Sequence, residues 1–293
     1  MKILLTGGSG FIGKNIVESF LNDKYQIIAP SRTVLDCSND KSVEEYFIKN
    51  SFDVVLHSAC KPGHRNAPDP TGILMANSRM IFNILKHQSS WGKLINMGSG
   101  AIYDMANYKP KVKEEYFGTY IPSDEHGYNK YIFGLLFPHY KDVIDFRIFS
   151  IFGKYEDYAI RFISNVICKT LFDLPITIKQ NRRFDFLFID DLMPIIDYFI
   201  THDPLYSEYN ITPDSSIELL EVAKIVRSIS GKALDIVIGK EGMGLEYSGD
   251  NSRVKAEIGS INLTPIEKST ELLYAWYKKN KNNLDINKLL VDK

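Results

Sequence analysis

Apolar residues fall into short runs that alternate with stretches of helical spacing. Residues 2–6 form one such run, and from 12 to 21 the positions Ile12, Ile16, Val17, Phe20 and Leu21 recur on one side of a helix. A second run at 25–29 precedes a polar stretch, 31–39, and an amphipathic helix over 43–48. The unit then repeats with a strand at 53–57, a Pro- and Gly-rich loop from 61 to 72 and a helix at 74–87. Residues 93–97 predict a fourth core strand, 103–124 an irregular loop, 128–140 a helix with a wide apolar face and 143–149 a further strand. Strands alternating with helices in this way build a parallel sheet.

Beyond residue 149 the alternation loosens into a helix at 159–171, an extended stretch at 176–178, a strand at 184–189 and helices at 191–200, 217–230 and 264–279. The expected fold is therefore α/β: a Rossmann-type doubly wound parallel sheet with a smaller α+β C-terminal substrate lobe. The sheet domain takes residues 1–153, with 184–200 returning to it, and the substrate lobe takes 154–183 and 201–293. The Lys/Asn-rich tail, 278–293, reads as a frayed end.

Composition narrows the function classes. With 293 residues and 44% apolar content the chain fills a core, and a formal charge of −1 supplies no basic field for nucleic acid. Any anionic ligand must then be small and held by a few placed residues. Cys37, Cys60 and Cys168 are far apart and form no metal-ligand spacing, so neither a disulfide framework nor a metal site is expected, and a reducing cytoplasm fits. No window approaches the ~18–20 apolar residues of a membrane span, and the first residues are too short an apolar run for a signal peptide.

The sharpest local signal is Thr6-Gly7-Gly8-Ser9-Gly10-Phe11-Ile12-Gly13, glycines that leave a strand and open a helix. Gly7 permits the tight turn, Gly10 lets backbone approach a pyrophosphate, and Gly13 lets the helix pack against the strand, while the helix amino end offers free N–H groups. The segment predicts a dinucleotide site in which Phe11 and Ile12 belong to the same turn. At the end of the second strand an acid binds a ribose 2′-hydroxyl, whereas an arginine accommodates a 2′-phosphate. Ser31 and Arg32 stand there and no acid occurs between 25 and 35, which favours NADP(H), with NAD(H) the alternative; Asp36 falls at the adenine edge.

On these residues the chain resembles the extended short-chain dehydrogenase/reductases, the NAD(P)-dependent epimerases, dehydratases and reductases of nucleotide-activated sugars. The likeness runs nearly end to end. It takes in the glycine turn, Asp36-Cys37 at the family's adenine contact, His57-Ser58-Ala59 beside the cofactor, and Asn77 in the following helix. Gly98-Ser99-Gly100-Ala101-Ile102-Tyr103 is similar to the family's strand end, and residues 185–191 to its Asp-Phe-x-Tyr-Val-x-Asp segment. The 31–36 stretch and the Gly98-Ser99 pair most resemble the branch of GDP-fucose synthase and other 4-ketoreductases. Family dehydratases carry an acidic pair where Gly100-Ala101 stands, so dehydration is disfavoured.

The resemblance implies a hydride-transfer site made of a Tyr, a Ser or Thr, and a Lys. Ser99 is the carbonyl-holding residue and Lys130 the cation that anchors the nicotinamide ribose. Four residues before Lys130, where the family's Tyr-x-x-x-Lys has its tyrosine, stands His126. Three readings follow. His126 is the acid/base, its pKa pushed down by Lys130; or Tyr128 or Tyr131 turns into the slot; or the chemistry is lost and the protein only binds or senses the nucleotide. His57 reads as a packed histidine, while His64 and Arg65 lie in a loop that either touches substrate or is solvated.

A sugar nucleotide brings a pyrophosphate, for which Arg182, Arg183 and Arg253 are the candidates, with Tyr247 in the late loop that closes over the nucleotide. Arg147, in a core strand, is expected to pair with Asp190 or Asp191. The implied function is an NADP(H)-dependent reductase or reductase-epimerase acting on the 4-keto group of a nucleotide-diphospho-deoxysugar, with a 4-epimerase holding NAD tightly as the rival. The family's dimer packs the helices at 74–87 and around Lys130 into a four-helix bundle, which implies a homodimer.

Overall fold

The computed structural model describes residues 1–64 and 66–290. Strand β1 (Lys2–Thr6) runs into the glycine turn and helix α1 (Phe11–Val17), then α2 (Phe20–Lys24), β2 (Gln26–Ile28), α3 (Asp40–Lys49) and β3 (Phe52–His57). Helix α4 (Ile73–Leu85), β4 (Trp91–Met97), α5 (Glu125–Leu136) and β5 (Val143–Ile148) complete the regular alternation. The helix expected over 12–21 is two helices, because the Ser19 side chain accepts a hydrogen bond from Leu21 N and restarts the chain as an N-cap. Helix α5 starts earlier than its apolar pattern, at Glu125, because the Asp124 side chain caps it by accepting from Gly127 N. That early start puts His126 in the first helical turn.

All strand pairs of the main sheet are parallel, in the order β2-β1-β3-β4-β5 followed by β10 (Glu208–Ile211). Both faces are covered. Ile3, Leu5, Val54 and Leu56 join one core cluster with Ile16 and Leu21, while Leu4 and Val55 join a second with Val43, Phe47, Ile81 and Phe133. The chain leaves β1 toward β2 on one side and returns to β3 on the other, so the strand order reverses between β1 and β3. The crevice beyond the carboxyl ends of those two strands is where such sheets bind ligands.

The later chain holds β6 (Ile151–Phe152), α6 (Phe162–Leu171), β7 (Ile176–Ile178), β8 (Arg183–Phe184), β9 (Leu187–Phe188) and α7 (Ile189–Thr201) ahead of β10. After it come β11 (Ile217–Glu218), α8 (Leu219–Ser230), β12 (Ile236–Ile238), α9 (Ser252–Ile258) and α10 (Ile266–Lys279). Helices α6, α8 and α10 pack on one another, whereas α7 lies against α1 and α2. Three expectations need correction. Residues 208–211, assigned to the substrate lobe, are the edge strand of the central sheet, a four-residue strand too short to show a period. The run at 184–189 is two short strands that pair with different partners, and 217–218 pair with β8 before α8 begins. Arg147 does not reach Asp190 or Asp191: it donates to the Tyr103 hydroxyl at 2.8 Å and stands 3.9 Å from Asp145, while Asp191 accepts from Thr264. Register decides this, since Asp145 lies two residues from Arg147 on the same face of β5.

Candidate active site

Gly7 has φ +72°, and a side chain there would place its Cβ 2.6 Å from Ala59 N. The turn therefore lies directly against the loop that follows β3. Gly10 N donates to Gly7 O at 2.9 Å, and a Cβ at Gly13 would collide with the Gly7 carbonyl. Helix α1 starts at this turn with no side-chain cap and no acid in its first turn. Its leading N–H groups and positive end are left for an outside anion, so the residues present fit a dinucleotide pyrophosphate.

The β3 end is fixed to the same turn. Thr6 Oγ1 bonds the His57 ring at 2.9 Å and accepts from Ala59 N at 3.3 Å, and Ser58 N donates to Thr6 O. Burial, then the Lys130 charge, depress the His57 pKa to about 3, so this histidine is a neutral structural strut. Asn77 accepts from Lys61 N at 2.7 Å and holds the loop beyond Ala59. Toward the adenine edge, Ser31 bonds Thr33, and the exposed Arg32 reaches Asp36 at 3.3 Å. The Asp36 carboxylate also accepts from Ser38 N and Oγ, which organises the turn. Cys37 points its thiol into the core, where burial raises its pKa to about 12, so only its backbone remains for a ligand.

Ser99 lies two residues beyond β4 and accepts from Ala101 N at 3.1 Å, capping a short 3₁₀ turn, Gly100–Ile102. Helix α5 is pressed onto that turn: a Cβ at Gly127 would stand 2.7 Å from Ala101 O. His126 is thereby set beside the Ser99 turn, with Lys130 one helical turn further on. Lys130 is 8% exposed and its ammonium has no hydrogen bond or ion pair among the described residues. The ammonium lies over the Phe133 ring at 5.8 Å, which leaves its N–H donors for a ligand. Burial and, second, Lys130 push the His126 pKa down to about 4, against a partial pull upward from Asp124. Neither tyrosine competes for the slot, since Tyr131 is packed on Phe117 with ring centroids 4.9 Å apart and Tyr128 faces solvent.

The arginines separate into two groups. Arg183 is spent on Ser216 and Glu218, and Arg253 on Glu115 and Glu208 at 2.6 Å each. Both are internal struts. Arg182 has no side-chain bond among the described residues and packs against Gly244. Arg161, which sequence reasoning passed over, precedes α6 as an exposed cation, and its charge acts on His126, His64 and Tyr247. Nothing local marks it; only the fold brings it to the site. His64 is half-buried, while Arg65 lies outside the described residues. Among the described residues no three His, Cys, Asp or Glu side chains are grouped to hold a metal, and no helix is long and apolar enough to cross a membrane.

Known proteins resemble the chain over nearly its whole length. Over 97% of its length the chain is 24% identical to a GDP-L-colitose synthase of Yersinia pseudotuberculosis, covering 100% of that protein. A GDP-L-fucose synthase of Azorhizobium caulinodans is 36% identical over 35% of this chain and 34% of its own length. Among solved structures, a GDP-mannoheptose C4 reductase from Campylobacter jejuni with NADP bound superposes with a TM-score of 0.81 at 20% identity, covering 94% of this chain and 98% of that one. Residues 3–212, from the first strand through the edge strand of the sheet, match the NAD dependent epimerase/dehydratase family. The chain thus belongs to that family, the extended short-chain dehydrogenase/reductases.

Proposed function

We propose that the protein is an NADP(H)-dependent reductase or reductase-epimerase acting on the 4-keto group of a nucleotide-diphospho-deoxysugar. The observation that carries this reading is Lys130, whose ammonium has no hydrogen bond or ion pair among the described residues and whose charge acts on both His126 and the His57 tied to the glycine turn. A bound nicotinamide supplies hydride. Gly7, Gly10, Phe11, Ile12 and Gly13 hold its pyrophosphate, Ser58, Ala59 and Asn77 shape the wall beside it, and Lys130 bonds the ribose next to the ring. Arg32, exposed at the end of β2, supports the phosphate-bearing cofactor over NAD(H). The relatives' GDP-sugar names and the NADP in the heptose reductase favour the same chemistry.

Ser99 Oγ donates to the substrate carbonyl, and His126 adds a second hydrogen bond. With a pKa of about 4 the imidazole is neutral at pH 7, so its share is the N–H bond and not a held proton. Arg161 and Arg182, two cations with no side-chain hydrogen bond or ion pair among the described residues, take the diphosphate. A homodimer through the outer faces of α4 and α5 accounts for Met75, Phe82 and Leu135, which are apolar and exposed there.

The test is NADPH oxidation by the wild type and by His126→Tyr over a panel of GDP-, dTDP- and UDP-4-keto sugars. Turnover by the wild type is expected. Activity in neither protein rejects the reductase reading, and activity in the variant alone identifies a decayed enzyme.

A further inference from the structure

His126 is neutral at pH 7 and holds no imidazolium proton, and the tyrosine that donates in the family is absent from position 126. Another phenol lies against the same serine. Tyr247 lies on the segment that follows β12. Its backbone is pinned on both sides of the peptide: Tyr247 N donates to Arg183 O at 3.0 Å and its carbonyl accepts from Asp185 N at 3.3 Å. The next two residues are tied down as well, Ser248 N to the Tyr108 hydroxyl and Gly249 N to Asp185. The ring is clamped between Phe149, with centroids 5.0 Å apart, and Phe184, at 6.0 Å.

This clamp aims the hydroxyl at the Ser99 turn. A Cβ at Gly100 would stand 2.7 Å from Tyr247 Oη, so the phenol occupies the space that any side chain at position 100 would fill. The Ser99 hydroxyl is its hydrogen-bonding neighbour and Arg161 its nearest cationic influence. The phenol thus shares the carbonyl-binding serine with the proposed substrate oxygen, and glycine at 100 is what admits it.

We propose that Tyr247, reaching in from the C-terminal part of the chain, is the proton donor to the substrate carbonyl oxygen, in place of the phenol absent from position 126. The proposal rests on the reductase reading above. As hydride reaches the carbonyl carbon, the C=O π pair moves to oxygen, the Tyr247 O–H bond breaks and a new O–H bond forms on the sugar. The phenolate left behind takes a proton from water, with Ser99 and Arg161 stabilising it meanwhile. Burial, Asp185 and Tyr108 hold the phenol above its usual pKa of ~10, so it is fully protonated at pH 7. An alkoxide approaches the basicity of hydroxide, whose conjugate acid has a pKa of ~15.7, so the transfer still runs downhill.

The experiment compares wild type, Tyr247→Phe and His126→Gln on whichever 4-keto sugar nucleotide the wild type reduces, with binding of GDP-L-fucose, a product-like alcohol, measured by calorimetry. Tyr247→Phe is expected to lose kcat by about 100-fold or more, the low end of general-acid contributions, while its Kd for the probe stays within about twofold. His126→Gln, which keeps an N–H donor, is expected to stay within about tenfold of wild type in kcat. A Tyr247→Phe kcat within about threefold of wild type overturns the assignment, as does a fall in kcat matched by an equal loss of probe affinity, which marks a lining residue only. If His126→Gln shows the 100-fold loss instead, the donor is the imidazole. Should the wild type reduce none of the panel, the reductase reading falls and the donor role with it.

Discussion

His126 precedes Lys130 by one turn of α5, and burial together with the lysine charge presses its imidazole from the usual ~6.5 to about 4. Between those values the unfolded chain binds the proton and the folded one does not. This histidine therefore contributes stability that is fully present above the unfolded value and is lost as pH falls toward 4. Ring-proton NMR of His126 should show a midpoint near 4, and Lys130→Met should move it upward. A wild-type midpoint close to the ordinary histidine value would remove the electrostatic account of the site.

The two inner glycines of the turn should separate stability from binding. A methyl at 13 meets the Gly7 carbonyl and lies 2.7 Å from Gly8 Cα, all backbone, so Gly13→Ala should destabilise by about 1–3 kcal/mol. At 10 the one atom within 4 Å is Gly7 O, at 3.3 Å, and the new methyl otherwise meets open space where the pyrophosphate is expected. Gly10→Ala should fold with a melting temperature near wild type yet bind NADPH at least about tenfold more weakly, as about 1.4 kcal/mol of lost backbone approach. Denaturant unfolding and calorimetry on both variants read the difference.

Arg32 is the residue on which cofactor choice should turn. Its ion pair to Asp36 is exposed and structurally cheap to remove. Arg32→Ala should weaken NADPH by roughly tenfold, the scale of one charge-assisted hydrogen bond, and leave NADH unchanged. Equal losses for both cofactors would mean that Arg32 does not read the 2′-phosphate.

Glu156 carries a pH signature of the opposite sign. Burial raises its carboxyl to about 7, although the Ser164 hydroxyl donates to it. The folded state thus binds a proton that the unfolded chain releases near ~4.3, and stability falls as pH rises through that interval. Relative to wild type, Glu156→Gln should gain by up to about 3 kcal/mol between pH 5 and pH 8. A stability difference that does not change with pH would show that the carboxyl is already ionised in the fold.

Much of the architecture was legible because it is local. Strands β1, β3, β4 and β5 are apolar runs bounded by turn residues, and the glycine turn sits between a strand and a helix in the order its chemistry needs. What the sequence concealed is the pairing of distant residues. Arg253 reads as a free cation until the fold brings Glu115 and Glu208 to it, and Arg183 until Ser216 and Glu218 arrive. Arg161 and the hydroxyl of Tyr247 carry the converse lesson: no motif marks Arg161, whose charge the fold brings to bear on Tyr247, and Tyr247, expected over the nucleotide, reaches the Ser99 turn. Strand β10 was missed because Glu208, Tyr209 and Asn210 read as polar or amphipathic until β5 lies alongside.

That last strand also sets a timetable for synthesis. The sheet's final edge comes from residues 208–211, and β5 ends at 148, so a growing chain exposes the bare edge of β5 until some sixty further residues have been added. At ~5–20 residues per second this interval lasts about 3–12 s, long enough for an open row of backbone groups to meet another nascent chain. The cofactor half cannot be released as a finished unit ahead of the part that follows it, and a chain stopped after β5 should need a chaperone where the full one does not.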